Sequence, residues 1–150
     1  NVYSGDLQMG STTKRLCDAL LNADNIDSYF DNNADRIDIG VDLSEFLEEK
    51  LKESGLTRAE LFARSSINPS YGYQLLSGLR SPARDTAVQL ALGLSLGVDD
   101  TQKLLRMAKL GALYPRDRRD SIILFAISNG FTLPQTNELL FSHSMNGLSK

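Results

Sequence analysis

One hundred and fifty residues, 41% of them apolar, suit one globular domain or a small domain with appendages. No apolar run approaches the ~18 residues of a membrane span, and the densest, 121–128, is far shorter. A single cysteine, Cys17, and a single histidine, His143, exclude an intrachain disulfide and a structural zinc site, and a net charge of −3 excludes a uniformly basic coat.

The charge is uneven along the chain. Residues 1–57 hold 5 basic and 12 acidic residues, net −7; residues 58–119 hold 10 basic and 5 acidic, net +5; residues 120–150 come to −1. A basic middle behind an acidic front points to an anionic partner for the middle; the plainer alternative is a chance spread over solvated faces. The first residues carry no signal-peptide pattern, which with the lone cysteine leads to a reducing, cytoplasmic setting as the expectation.

Residues 1–10 lack periodicity and read as a flexible lead. Ser11 or Thr12 can cap a helix carrying Leu16, Ala19, Leu20 and Leu21, and the break at 22–25 ends it. Ile26, Tyr29 and Phe30 at i, i+3, i+4 predict a second short helix, with Asp27, Asp31 and Asp35 on its outer side. Those acids lack calcium-loop spacing, so a solvated acidic face is expected and no metal site. Asp42 or Ser44 opens the next helix, whose stripe is Leu43, Phe46, Leu47 and Leu51 and whose stop is Gly55.

Residues 56–82, LTRAELFARSSINPSYGYQLLSGLRSP, read as two short helices joined by a tight turn. Thr57 and Glu60 have capping-box spacing. Ser65 and Ser66 break the first helix, and Ile67 is the apolar plug of the turn. Asn68 can cap the second helix, with Pro69 at the first helical position, where a missing N–H costs nothing. Leu61 faces inward, followed by Tyr71, Gly72 and Leu75, with Tyr73 outward; Gly78 supplies the positive φ that ends the helix.

Leu56-Thr57, Ile67, Gly78, Arg80 and Pro82 stand where the Cro and phage-repressor (Xre-type) helix-turn-helix family has its Leu-Thr start, turn residue and Gly-x-Arg/Lys-x-Pro ending. The chain resembles that family over roughly 43–96. It departs at Arg58 (usually Gln), Phe62 (usually a small Ala), Ser66 (the turn Gly), Gly72 (usually aliphatic) and Leu76 (often acidic). The resemblance implies a second motif helix in the major groove with its N-terminal residues on base edges. Carried over by position, Asn68, Ser70, Tyr73 and Gln74 face the groove. Arg58 stands near one phosphate strand, and Ser77, Arg80 and Arg84 surround the loop beside the other. The plainer reading of each arginine is an exposed ion pair, Arg58 with the Glu60 face and Arg84 with the neighbours of Asp85.

Beyond the motif the chain repeats at an offset of 35. Residues 83–113 against 118–148 give Arg84-Asp85-Thr86 over Arg119-Asp120-Ser121, Ala91 over Ala126, Thr101 over Thr136, Leu104-Leu105 over Leu139-Leu140 and Leu113 over Leu148. Each copy predicts a helical hairpin, with Asp85 and Asp120, or the hydroxyls beside them, as caps. Arg116, Arg118 and Arg119 crowd a helix start, against its dipole, and invite an anion or the acidic front of the chain.

The expected fold is all-α: a lead and acidic helical arm (1–41), a repressor-like helix-turn-helix domain (42–97) and a C-terminal extension completing the duplicated hairpin (98–150). The resemblance implies a sequence-specific transcriptional regulator of double-stranded DNA, acting as a homodimer; separately, the C-terminal helices are expected to be open to a protein partner. The competing expectation is a helix-turn-helix interaction module that does not bind DNA. No phosphate loop, nucleophile elbow or paired histidine is present, and neither enzyme activity nor a cofactor is expected; His143 reads as a surface or capping residue.

Overall fold

The structure is a computed structural model that describes residues 14–33 and 42–149. Every regular element among them is a helix, as expected of an all-α chain. The chain divides into two compact units, Asn1–Val41 and Asp42–Lys150. No helix among the described residues is long and apolar enough to cross a membrane.

In the first unit, residues 14–21 are helical (α1) and Ile26–Asn32 form α2. Asn25 caps α2, its side chain accepting from Ser28 N–H at 2.8 Å. The rings of Tyr29 and Phe30 lie 5.9 Å apart, and Asp27 and Asp31 are exposed. The expected caps Ser11 and Thr12 and the third acid, Asp35, fall outside the described residues.

The second unit holds α3 (Leu43–Ser54), α4 (Arg58–Ser65), α5 (Pro69–Leu76), α6 (Arg84–Gly93), α7 (Val98–Met107), α8 (Arg118–Ser128) and α9 (Leu133–Ser142). The expected boundary between 97 and 98 falls inside this one unit. Asp42 caps α3, accepting from Glu45 N–H, and Gly55 ends it at φ 73°. Phe46, Leu47 and Leu51 are buried, and α3 packs on α5 and α7. Helix α4 packs on α5 and α6, while α6 also touches α7 and α9.

One turn geometry joins α4 to α5, α6 to α7 and α8 to α9. Ser66, Ser95 and Gly130 take the left-handed conformation at φ 55°, 56° and 70°. The next residue of each is apolar, and its N–H reaches the carbonyl five back: Ile67 to Phe62 at 3.0 Å, Leu96 to Ala91 at 2.9 Å, Phe131 to Ala126 at 3.0 Å. This is the Schellman ending, in which the apolar residue folds back under its own helix. Sequence comparison finds the last two of these hairpins; the first shares the turn without the side chains.

The two C-terminal hairpins agree down to their hydrogen bonds at the offset of 35. Thr101 and Thr136 donate their hydroxyls to the carbonyls of Gly97 and Thr132, both at 2.8 Å. Lys109 and Ser144 both have φ 60°. Gln102 holds Leu113 through N–H and C=O, and Asn137 accepts from the N–H of Leu148. Arg84 donates to the carbonyls of Gly111 and Ala112, Arg119 to those of Asn146 and Gly147.

The hairpins then exchange partners. Arg84 forms a bidentate pair with Asp120 of the other copy at 2.8 and 2.7 Å, and Arg119 one with Asp85 at 2.9 and 2.9 Å. Helix α6 touches α9 as α7 touches α8. This reciprocity describes an approximate two-fold relation between the copies. It also corrects the expected capping role of both aspartates. Ala83 precedes α6 without a side-chain cap, and Asp117 caps α8 by accepting from Asp120 N–H. Asp85 and Asp120 sit inside the first turns, where the opposite guanidinium competes better than their own backbone. Arg119 finds an anion in Asp85.

Phe62 and Gly72 depend on each other for space. A Cβ on Gly72 would collide with the Phe62 ring. Phe62 therefore occupies the space a side chain at 72 would fill. Gly72→Ala in an unobstructed helix interior would stabilise by about 0.5–1 kcal/mol; here overpacking is expected to destabilise by about 1–3 kcal/mol instead. Urea unfolding of Gly72→Ala reads the sign, and Phe62→Ala combined with Gly72→Ala is expected to recover part of the loss attributable to the clash.

The crossed pairs yield a second expectation. Burial pushes the Asp120 carboxyl up, but the Arg84 guanidinium, the Tyr114 N–H and Arg119 together hold it below the ordinary carboxylate value. A carboxylate lowered in the folded state contributes stability above its unfolded value and loses it as pH falls through the folded one. Stability is thus expected to decline below about pH 4, and Asp120→Asn to remove that share of the decline. At neutral pH, Asp120→Ala should cost about 2–4 kcal/mol, since it strands a part-buried Arg84 and the Tyr114 N–H. Asp85→Ala should cost less, because Asp85 is 41% exposed against 8% for Asp120. Denaturant unfolding at pH 7 and pH 3 measures both.

Candidate nucleic-acid interface

The candidate site is built by α4, its turn and α5. The capping box closes both ways: Thr57 Oγ1 accepts from Glu60 N–H and Glu60 Oε1 from Thr57 N–H, each at 3.1 Å. Leu61, Phe62 and Ser65 are buried beneath α4. Ser66 adopts the left-handed turn conformation that glycine would take without strain, and Ile67 plugs the turn, 8% exposed. Asn68 caps α5 by accepting from Ser70 N–H at 2.9 Å, and Pro69 starts it.

Gly72, Leu75 and Leu76 are the buried side of α5. Ser70, Tyr73 and Ser77 are exposed, as is Asn68 at the cap, and Gln74 is half-buried. Positions 70, 73, 74 and 77 follow i, i+3, i+4, i+7, so they share one helix face. Tyr71 is half-buried against 53% exposure for Tyr73, matching the expected inward and outward assignment. The Tyr73 ring seats edge-on against Phe62, centroids 5.2 Å apart at 77°. Ser77 follows α5 and donates its hydroxyl to the Gln74 carbonyl. No side-chain hydrogen bond holds the Gln74 amide among the described residues.

The four expected arginine and serine anchors have different surroundings. Arg80 is exposed in the loop after Gly78, φ 82°, next to Leu79, which is 75% exposed. Arg58 is half-exposed, but its Nη2 donates to both carboxylate oxygens of Glu48 at 3.0 and 2.9 Å. The partner is on α3, not the expected Glu60. The Arg84 guanidinium makes four hydrogen bonds, to Asp120, Gly111 and Ala112, and supports the hairpins. Glu48 and Leu79 are the residues sequence reading missed. Glu48 lies ten positions before Arg58, a separation at which no helical spacing rule connects them. Leu79 falls inside the Gly-x-Arg ending without being one of its defining positions.

On the C-terminal hairpins Tyr114, Phe125 and Phe141 are exposed, Phe125 meeting Phe131 edge-on at 5.9 Å. Arg116 and Arg118 are exposed at the start of α8, beside the capping Asp117. His143 follows α9, its ring nitrogen 3.0 Å from the Leu139 carbonyl. Among the described residues no group of three or more His, Cys, Asp or Glu side chains could hold a metal ion.

Compared with known proteins, the chain matches no family model, no curated protein and no solved structure.

Proposed function

We propose that this chain is a sequence-specific DNA-binding transcriptional regulator of the cytoplasm, acting as a homodimer with α5 in the major groove. The observation that carries this reading is the polar, exposed face of α5. Ser70, Tyr73, Gln74 and Ser77 point away from the core, Asn68 opens the helix, and Arg80 stands exposed just beyond its end. Side chains on such a face meet base edges when the helix enters the groove, and a flanking arginine meets the phosphates that fix its register. The reading includes no catalytic step and no cofactor.

The alternative is a helix-turn-helix interaction module without DNA contact. Two observations favour it: Glu48 already neutralises Arg58, and the C-terminal hairpins expose Tyr114, Phe125 and Phe141 to a protein partner. Binding of fluorescent random and selected duplexes across a salt series separates the two. No binding at low salt, with sedimentation revealing a protein complex, would favour the module.

For the DNA reading, Arg80→Ala is expected to weaken all duplexes alike and to flatten the log–log salt slope by about one unit. Arg58→Ala should flatten it less, because Glu48 holds the guanidinium in the free protein. Glu48→Gln should steepen the slope and raise affinity. An altered base preference with an unchanged slope would remove Arg58 or Arg80 from the phosphate role.

A further inference from the structure

The outward face of α5 carries a narrower message than its position. From Pro69 to Leu76 the helix has no formally charged side chain. In the major groove, guanine is read chiefly by Arg or Lys on O6 and N7, and the cytosine amino group by Asp or Glu. Helix α5 supplies neither. Arg80 lies beyond the helix end, in the loop that flanks the groove, where an arginine meets phosphates.

The neutral residues are not equivalent either. Asn68 Oδ1 accepts from Ser70 N–H at 2.9 Å, so one of its two lone pairs is taken and its amide is held in the orientation of a helix cap. Gln74 lies six residues further on, about 1.7 helical turns, with its amide unengaged among the described residues. It can donate to adenine N7 and accept from N6–H together. Tyr73 is its neighbour on the exposed face, 53% exposed, with its ring set on Phe62 at 77°. That seat exists because Gly72 leaves room for the Phe62 ring. A ring held this way offers a fixed apolar edge, suited to the C5-methyl group that projects from thymine into the major groove.

We infer that α5 reads A·T base pairs, with Gln74 as the adenine contact and Tyr73 as the thymine-methyl contact. This rests on the DNA-binding reading proposed above. Two departures from the family pattern, Phe62 and Gly72, then act in specificity as well as in packing: they position the ring that meets the methyl group.

The test is selection of binding sites from a random duplex library with the full chain, followed by base-analogue substitution. The enriched core is expected to be A·T at adjacent positions. Replacing one thymine by uracil, which deletes only the methyl, should weaken binding about three- to five-fold, the effect of one buried methyl group. Tyr73→Ala should lose that sensitivity, and Tyr73→Phe, which keeps the ring, should retain it. Gln74→Ala should weaken the selected site about ten-fold or more, with little effect on random duplex. A selection that enriches a G·C core, or thymine-to-uracil changes without effect at every core position, overturns the inference and leaves DNA binding standing. A selection with no enriched sequence overturns the sequence-specific reading itself, and the inference falls with it. Circular dichroism of each variant separates lost contacts from lost fold.

Discussion

Helix α6 is the constraint on which the second unit depends. Seven consecutive residues, Ala87 to Gly93, are buried, so α6 has no wet face along that stretch. Such a helix must be covered on all sides, and α4, α7 and α9 do so. The closeness of α4 depends on size: a Cβ on Gly93 would run into the Ser65 hydroxyl and come within 3.1 Å of the Leu61 side chain. The one polar side chain within the stretch, Gln89, donates to the Ser65 carbonyl at 2.9 Å and so ties the two helices where they approach. That hydrogen bond matters because an unpaired buried amide would cost several times what a satisfied one contributes. The α4–α5 pair and the C-terminal hairpins are therefore not separable modules. The helix that orients α4, and through its turn α5, is the first helix of the duplicated hairpin.

Local signals in the chain were read with good fidelity. The capping box at Thr57, the Asn68-Pro69 start, the glycines at 55 and 78 and the apolar stripe of α3 are all short-range chemistry, and all appear where their spacing put them. The duplication was legible because the seven identities coincide with structural positions: Arg and Asp at the crossing, Thr and Ala in the packing, and Leu in the core except for the half-buried Leu139. What escaped was pairing across the fold. Nothing about Asp85 or Asp120 separates a cap from an ion-pair partner until the second copy is in place. The turn at Ser66 was legible by itself, but not that it shares its geometry with those at Ser95 and Gly130, because the three have no common side chain at the left-handed position.

The candidate site was legible in part for the same reason. Ser70, Tyr73 and Gln74 could be named because the resemblance implies which positions of the second motif helix face outward, and Ser77 because it implies a backbone contact after that helix. The state of the arginines could not. Arg58, Arg80 and Arg84 look alike as letters, yet one is clasped by Glu48, one is exposed, and one is built into a four-bond scaffold. Their availability to a ligand is set by acids ten and thirty-six residues away in sequence.

The crossed arginine–aspartate pairs have an implication for ancestry and assembly. A hairpin that begins Arg-Asp and is met by an identical hairpin across a two-fold axis satisfies both charges of both copies: it is self-complementary. One such hairpin, alone on a shorter chain, would carry an isologous dimer interface complete in itself. Joining two in tandem replaces an encounter that depends on concentration with one that depends on a short connection. The C-terminal half of this chain is, in that sense, a dimer whose subunits can no longer part.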